Sequence, residues 1–393
     1  MAGPERDPAT KPRPLTHFLL GAGAFLALYL PQPILPLLDR AFGTLPAITG
    51  LTMTAALLGF AVSGLLPEGD PGRTLRRAMW LIIASSAIAA LSPFFPVLLA
   101  ARAGQGVGVG LLIAGGLADI ARNHPPAVGG RLTGSLIGGT AIGGLLSRLT
   151  GYSALWLGWR AAFALGGALA LGLLSIALNR LSGPAADTGP RAAGLPPGRV
   201  GTPVWLVVAG LGILFVNIAV FDLLPYRLAG PGFHLSPAIA DFVYLAFLPA
   251  MLTAGLAGRA IDRFGARAVA AATAGIGVAF LLIGLIPSVL AAALMATGSI
   301  SATVALHTCH SLAAAGHGRV AVGRYLTAYY VGGALAAPLI AAAYQYRGWT
   351  GAVLPLCAAW LAVGALALLS PSSGWRRRTG QAAPPLAQLP SAP

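Results

Sequence analysis

The sequence predicts an all-α membrane protein, with twelve transmembrane helices in two pseudo-symmetric six-helix bundles. Three observations predict it. Apolar runs of about 20 residues, the length that crosses a bilayer, recur along the 393-residue chain. Basic residues collect in alternate connections between those runs. A set of short patterns returns at an offset of half the chain.

Composition sets the class. Hydrophobic residues make up 56% of the chain and charged residues only 9%, against roughly 25% charged in a soluble domain. The net charge of +15 does not indicate nucleic-acid binding, because the arginines stand singly or in small groups between apolar runs, whereas phosphate-binding patches lie on solvated faces. Lysine occurs once, at Lys11. A P-loop needs a lysine after its glycines, so no nucleotide-driven pump is expected. No HExxH or G-x-S-x-G motif and no acid pair on one span point to an enzyme, and no cofactor is expected. Cys309 and Cys357 fall inside apolar segments and read as small buried hydrophobes.

The twelve predicted spans cover 15–38, 46–66, 77–93, 96–119, 131–150 and 161–181, then 203–225, 238–258, 267–286, 288–310, 323–344 and 350–370. The first follows Lys11 and Arg13 as a signal peptide would, but it is long and no A-x-A site follows, so it reads as an uncleaved span. With the N-terminus inside, 19 of the 25 basic residues lie in cytoplasmic segments and four lie outside, at Arg40, Arg160, Arg227 and Arg347. Inside-positive bias of that size sets orientation. The predicted organisation is a cytoplasmic tail at 1–14, a six-helix bundle at 15–181, a Pro/Gly-rich cytoplasmic linker at 182–202, a second bundle at 203–370 and a cytoplasmic tail at 371–393.

The halves repeat. Gly64 to Arg73 (GLLPEGDPGR) is echoed by Gly258 to Arg267 (GRAIDRFGAR), 194 residues on. Gly130-Arg131 and Gly138-Gly139 return as Gly323-Arg324 and Gly332-Gly333, at offsets of 193 and 194, and Trp159-Arg160 is echoed by Arg347-Gly348-Trp349. Two six-helix repeats of one orientation place a substrate cavity between them near mid-membrane.

These residues resemble the major facilitator superfamily, and more loosely its bacterial drug- and sugar-efflux branch. The signature G-x-x-x-D-R-x-G-x-R stands whole at Gly258, Asp262, Arg263, Gly265 and Arg267, with a degenerate first copy at Gly64, Glu68, Asp70 and Arg73. A second signature, R-x-x-Q-G, stands at Arg102, Gln105 and Gly106. YLPQPILPLL (29–38), GWRAAF (158–163) and LTAYYVGGALAAP (326–338) extend the likeness. The resemblance implies proton-coupled export of small organic solutes by alternating access, with the lipid bilayer, a small-molecule substrate and protons as partners, and a monomer in the inner membrane. A facilitator or importer of the same fold is the alternative.

It also implies roles. Arg102 takes part in proton coupling or positioning, and Asp262 with Arg263 acts as a cytoplasmic latch docked at a helix N-terminus, where the dipole favours an anion. Glu68 or Asp70 takes that part in the first half, and Asp119 partners Arg122 or the 64–73 loop. From the residues themselves, a guanidinium held in a bilayer must face protein or water, so Arg102 is functional or a structural brace, and Arg148 is functional or snorkels to the interface. The first span carries no acid before Asp39, only Tyr29 and Gln32. Asp222, five residues after Asn217, is the remaining proton acceptor. Tyr29, Gln32, Tyr325, Tyr329, Tyr330 and His307 are candidate cavity-lining groups. His307, Cys309 and His310 offer metal-type donors but no carboxylate to complete a set of three or four ligands, so no metal is expected.

Overall fold

The computed structural model describes residues 14–64, 66, 70–124, 126–181, 201–236, 241–371 and 375. Glu68, most of the 182–202 linker and nearly all of both predicted tails lie outside the described residues. Among the described residues every regular element is helical.

The first predicted span is a broken crossing. Helix α1 (Pro14–Tyr29) stops, a 3₁₀ turn covers Gln32–Ile34, and α2 (Leu35–Phe42) continues. The cause is covalent: Pro31 and Pro33 carry no N–H, so the carbonyls of Ala27 and Tyr29, four residues earlier, have no helical donor. Gly43 ends α2 in the left-handed region, φ +64°, with its N–H on the Asp39 carbonyl.

Next come α3 (Pro46–Thr49) and α4 (Leu51–Ser63). Helix α5 (Pro71–Leu91) starts with proline in its first turn, a position that needs no N–H, and with Asp70 as N-cap. Then α6 (Phe95–Asn123), α7 (Pro126–Tyr152) and α8 (Ala154–Leu181) complete the first half. The second half holds α9 (Val204–Ala229), a 3₁₀ turn at Asp241–Ala246 leading into α10 (Phe247–Phe264), then α11 (Ala266–Ile283), α12 (Val289–Gly316) and α13 (Arg319–Leu369).

At 51 residues α13 is too long for one crossing, since the hydrocarbon core spans roughly 30 Å and a helix rises about 1.5 Å per residue. Gly348, at φ +65°, divides it into two arms, as Gly158, at φ +81°, divides α8. Each such glycine is followed by a buried tryptophan, Trp159 and Trp349. Nine helices among the described residues are long and apolar enough to cross a membrane, counting α13 once; α7 and the 241–264 segment occupy the fifth and eighth positions of the predicted order.

The repeat is structural as well as sequential. A Cβ on Gly139 would lie 2.0 Å from the Phe18 carbonyl, and one on Gly332 would lie 2.0 Å from the Leu211 carbonyl. Both partners and both glycines are 193 residues apart. So α7 meets α1 as the first arm of α13 meets α9, backbone against backbone, the close approach that small residues permit between membrane helices. Large apolar side chains such as Trp80, Leu91, Ile137 and Leu252 remain exposed on the outside of the bundle, as a lipid-facing surface requires.

The halves meet through few helices. Thr54 Oγ1 donates to the Ala334 carbonyl at 2.6 Å, a Cβ on Gly50 would touch Ala337, and Phe60 stacks on Tyr330 at 3.8 Å between centroids. Gly50 and Ala337 lie toward the face of the bundle that carries the 43–45 and 230–236 connections, here called the far face; the opposite one, where residues 14 and 371 lie, is the terminal face.

Candidate functional site

The break in the first span organises two buried arginines. Arg102, on α6, is fully buried. Its Nη1 donates to the Ala27 carbonyl at 3.0 Å, Nη2 to the Leu28 carbonyl at 2.5 Å and Nε to the Thr52 carbonyl at 3.3 Å, and Nη1 also reaches Gln105 Oε1. The Ala27 carbonyl is one that Pro31 leaves without a donor. The guanidinium thus replaces missing helix hydrogen bonds and ties α6 to α1 and α4. Gln105 passes its amide N–H to Ser86 on α5 at 2.7 Å. Gly106 serves packing, since a Cβ there would sit 1.8 Å from the Ala56 carbonyl. The second signature therefore lies in a bracing network among α1, α4, α5 and α6.

Arg148, on α7, does not reach the interface: it is 3% exposed. It donates to the carbonyl of Gly144 at 2.5 Å and to Ser147 Oγ at 3.1 Å, and its Nη2 donates to Gln32 Oε1. The other end of that amide, Gln32 Nε2, donates to Asp222 Oδ1 at 2.8 Å. A cation of the first half and a carboxylate of the second are thereby joined through one amide. Aromatic rings wall the cation, with Phe247 at 4.3 Å, Tyr29 at 5.1 Å, Tyr244 at 5.2 Å and Phe221 at 5.8 Å from its guanidinium carbon, distances that support cation–π attraction. Asp222 is 3% exposed, and its Oδ2, like Asn217 Nδ2, meets no partner among the described residues.

The remaining lining candidates form a second group. His307 Nδ1 and the Tyr325 hydroxyl are 3.0 Å apart, the His307 ring lies 4.4 Å from Tyr329, and Tyr329 meets Tyr330 edge-on at 5.3 Å. His310 turns its Nδ1 to the Leu306 carbonyl at 2.8 Å, which leaves it within its own helix rather than converging with His307 and Cys309. A groove of about 290 Å³ runs between α10, α11 and α12, lined by residues such as Leu256, Phe280 and Ala302. It includes none of the polar cluster and opens beside exposed Leu256 and Ile276, so we place the site at the buried charges instead.

At the terminal face, Arg267 donates through Nε to the Ala367 carbonyl at 3.1 Å and through Nη2 to Leu368, fastening the complete signature to the end of α13. Gly265 holds φ +82° between α10 and α11. Asp262 and Arg263 are exposed, and Gly258 has open space beside it. In the first half Gly64 is ordinary helical backbone, at φ −67°. Asp70 caps its own helix, accepting from the Arg73 backbone N–H at 2.9 Å, rather than docking on a neighbouring one.

Among the described residues Asp119 meets His17 Nε2 at 3.1 Å, Asn123 Nδ2 at 2.8 Å and His124 Nε2 at 3.7 Å; positions 65 and 67–69 of the 64–73 loop lie outside the described residues. Burial pushes the His124 imidazole below its ordinary pKa, Asp119 opposing and His17 adding to the shift. Sequence reasoning missed His17, His124 and the ring wall of Phe221, Tyr244 and Phe247. A histidine inside the first apolar run was the available signal.

Apolar crossing helices in two repeated halves, with buried charges where the halves meet, define a polytopic membrane transporter. The family model for the major facilitator superfamily matches residues 18–314, and the chain belongs to that family. It is 28% identical over 268 residues to the uncharacterized MFS-type transporter YybF of Bacillus subtilis, covering 63% of this chain and 65% of that one. It is 30% identical over 362 residues to the probable transporter SCO4007 of Streptomyces coelicolor, covering 86% and 82%. Among solved structures, a D-xylose–proton symporter superposes with TM-score 0.68 at 17% identity, over 92% of this chain and 96% of that one; that likeness speaks to the fold. The protein is a transporter rather than an enzyme.

Proposed function

We propose that this chain is a secondary transporter that exports small organic solutes from the cytoplasm in exchange for protons, with Asp222 as the proton-binding group. The observation that carries the reading is the bridge Arg148–Gln32–Asp222 across the halves. An ionised Asp222 is held by the amide and by the field of Arg148. Protonation cancels the charge, removes much of the reason for Gln32 to stay aligned, and loosens the two halves where they touch. Coupling requires an acid whose charge state biases a two-state element, and the unpartnered Oδ2 is the position for the proton.

The conformation fits one step of that cycle. Gly50–Ala337 and Gln32–Asp222 join the halves toward the far face, and in this reading substrate would enter from the terminal face once the deeper Phe60–Tyr330 stack parts. The basic-residue asymmetry makes that face cytoplasmic in an inner-membrane, monomeric protein. A deprotonated Asp222 bridged to Arg148 then belongs to the state that has released its proton inside and awaits substrate. Tyr29, Tyr329, Tyr330 and His307 offer apolar faces with polar tips to an organic solute. Asp262 with Arg263, near the terminal face, serves as the latch for the opposite state.

Transport into inverted vesicles tests the proposal, using a compound panel with and without an imposed pH gradient. Asp222→Asn should abolish pH-driven uptake and spare substrate binding. Full pH-driven uptake by that variant overturns the assignment of Asp222; gradient-independent equilibration by the unmodified chain makes it a facilitator.

A further inference from the structure

His17, Asp119 and His124 come from α1, from the end of α6 and from the connection after it, and they converge near the terminal face of the first half. One donor atom from each lies within 4.8 Å of the others. Zinc bound to imidazole nitrogen and carboxylate oxygen at about 2.0–2.2 Å in tetrahedral geometry sets neighbouring donors ~3.4 Å apart. The two separations centred on Asp119 Oδ2, 3.1 Å to His17 and 3.7 Å to His124, bracket that value.

Hydrogen bonding accounts for only part of this arrangement. A heavy-atom distance of 3.7 Å is too long for a hydrogen bond, yet the second imidazole points at the same carboxylate oxygen as the first. His17 is fully buried, and its Nδ1 has no partner among the described residues. Asn123 holds the other carboxylate oxygen at 2.8 Å, the kind of outer contact that orients metal-ligating carboxylates. His124 is partly exposed, with 13% of its side chain open, which gives an ion access from the terminal face and leaves room for water as a fourth ligand.

We propose that His17, Asp119 and His124 form a binding site for a divalent transition metal, with Zn²⁺ the best-matched ion, held by two neutral imidazoles and one carboxylate. All three ligands belong to the first half, so the ion is a resident clamp between α1 and α6 rather than cargo in the path between the halves. It is independent of the transport reading.

The test uses the full-length chain, purified in detergent without a histidine tag and stripped with a chelator. Titration with Zn²⁺ should show one saturable site and a raised unfolding temperature. His124→Ala, at a helix end and so compatible with folding, should weaken Zn²⁺ binding at least tenfold and remove the thermal shift without altering the unfolding temperature of the metal-free protein. Asn123→Ala should weaken binding about tenfold through the carboxylate it orients, while His234→Ala, on an exposed connection, should change nothing. Absence of saturable binding, or equal affinity in His124→Ala, overturns the proposal.

Discussion

Replacing Arg102 removes the brace across the break in the first span. Arg102→Met keeps volume and apolar contact but leaves the carbonyls of Ala27 and Leu28, at the broken end of α1, without a donor in a fully buried site, and removes the third contact to Thr52, whose carbonyl stays within helix α4. Each orphaned carbonyl in a protein interior costs about 1–2 kcal/mol, giving about 2–4 kcal/mol for the two. Interhelical hydrogen bonds in membranes average roughly 0.6 kcal/mol, which sets a floor of about 2 kcal/mol. Arg102→Lys should recover little, because one ammonium cannot reach carbonyls on both α1 and α4 as a planar fork does. The buried thiols Cys309 and Cys357 report unfolding directly through a thiol-reactive dye. Both variants should label at clearly lower temperature than the parent. A methionine variant that melts with the parent yet no longer transports refutes the bracing account and moves the guanidinium into the transport cycle.

Two further outcomes follow from the helix packing and capping. Gly139→Ala and Gly332→Ala each drive a methyl into a carbonyl 2.0 Å away and should cost about 1–3 kcal/mol or more, read as a lower melting temperature, whereas Gly138→Ala meets open space and should melt like the parent. Asp70→Ala removes an N-cap and should cost about 1 kcal/mol, with Asp70→Asn recovering most of it; a loss of transport at unchanged stability in both variants would instead point to gating.

The fold was legible because membrane helices must satisfy their backbone internally and must be long and apolar. Those demands write themselves into local composition, and the repeat was visible for a related reason. Gly139 and Gly332 admit no side chain, so glycine stands at both, 193 residues apart; the pairing of Gly138 with Gly332 at 194 is one residue out of the structural register. Pro31 and Pro33 announced irregular backbone, but not which donor would satisfy the carbonyls they free. Arg102 lies 75 residues from Ala27, and Arg148 lies 116 from Gln32; no periodicity links such pairs. The sequence left Arg102 open between transport and bracing, and packing decided where its donors go. It left Arg148 open between function and snorkelling, and burial excluded the second. For Asp119 the expected partners were Arg122 or the 64–73 loop; His17, 102 residues away, stands on the adjacent helix face, and no local pattern announced it.

The paired glycine contacts carry a mechanical consequence. At Gly139 and at Gly332 two helices touch backbone to backbone, with no layer of side chains between them to act as a bearing. Sliding either pair by one turn would force a larger residue through a gap that admits only hydrogen. The registers of α1 with α7 and of α9 with α13 are therefore locked. Packed interiors shift between discrete arrangements rather than deforming continuously, so any reorientation that opens the far face must turn each half as a unit. The freedom then resides at the seam, among Thr54, Phe60, Gln32 and their partners, where single hydrogen bonds and one ring stack can part without cost to the halves themselves.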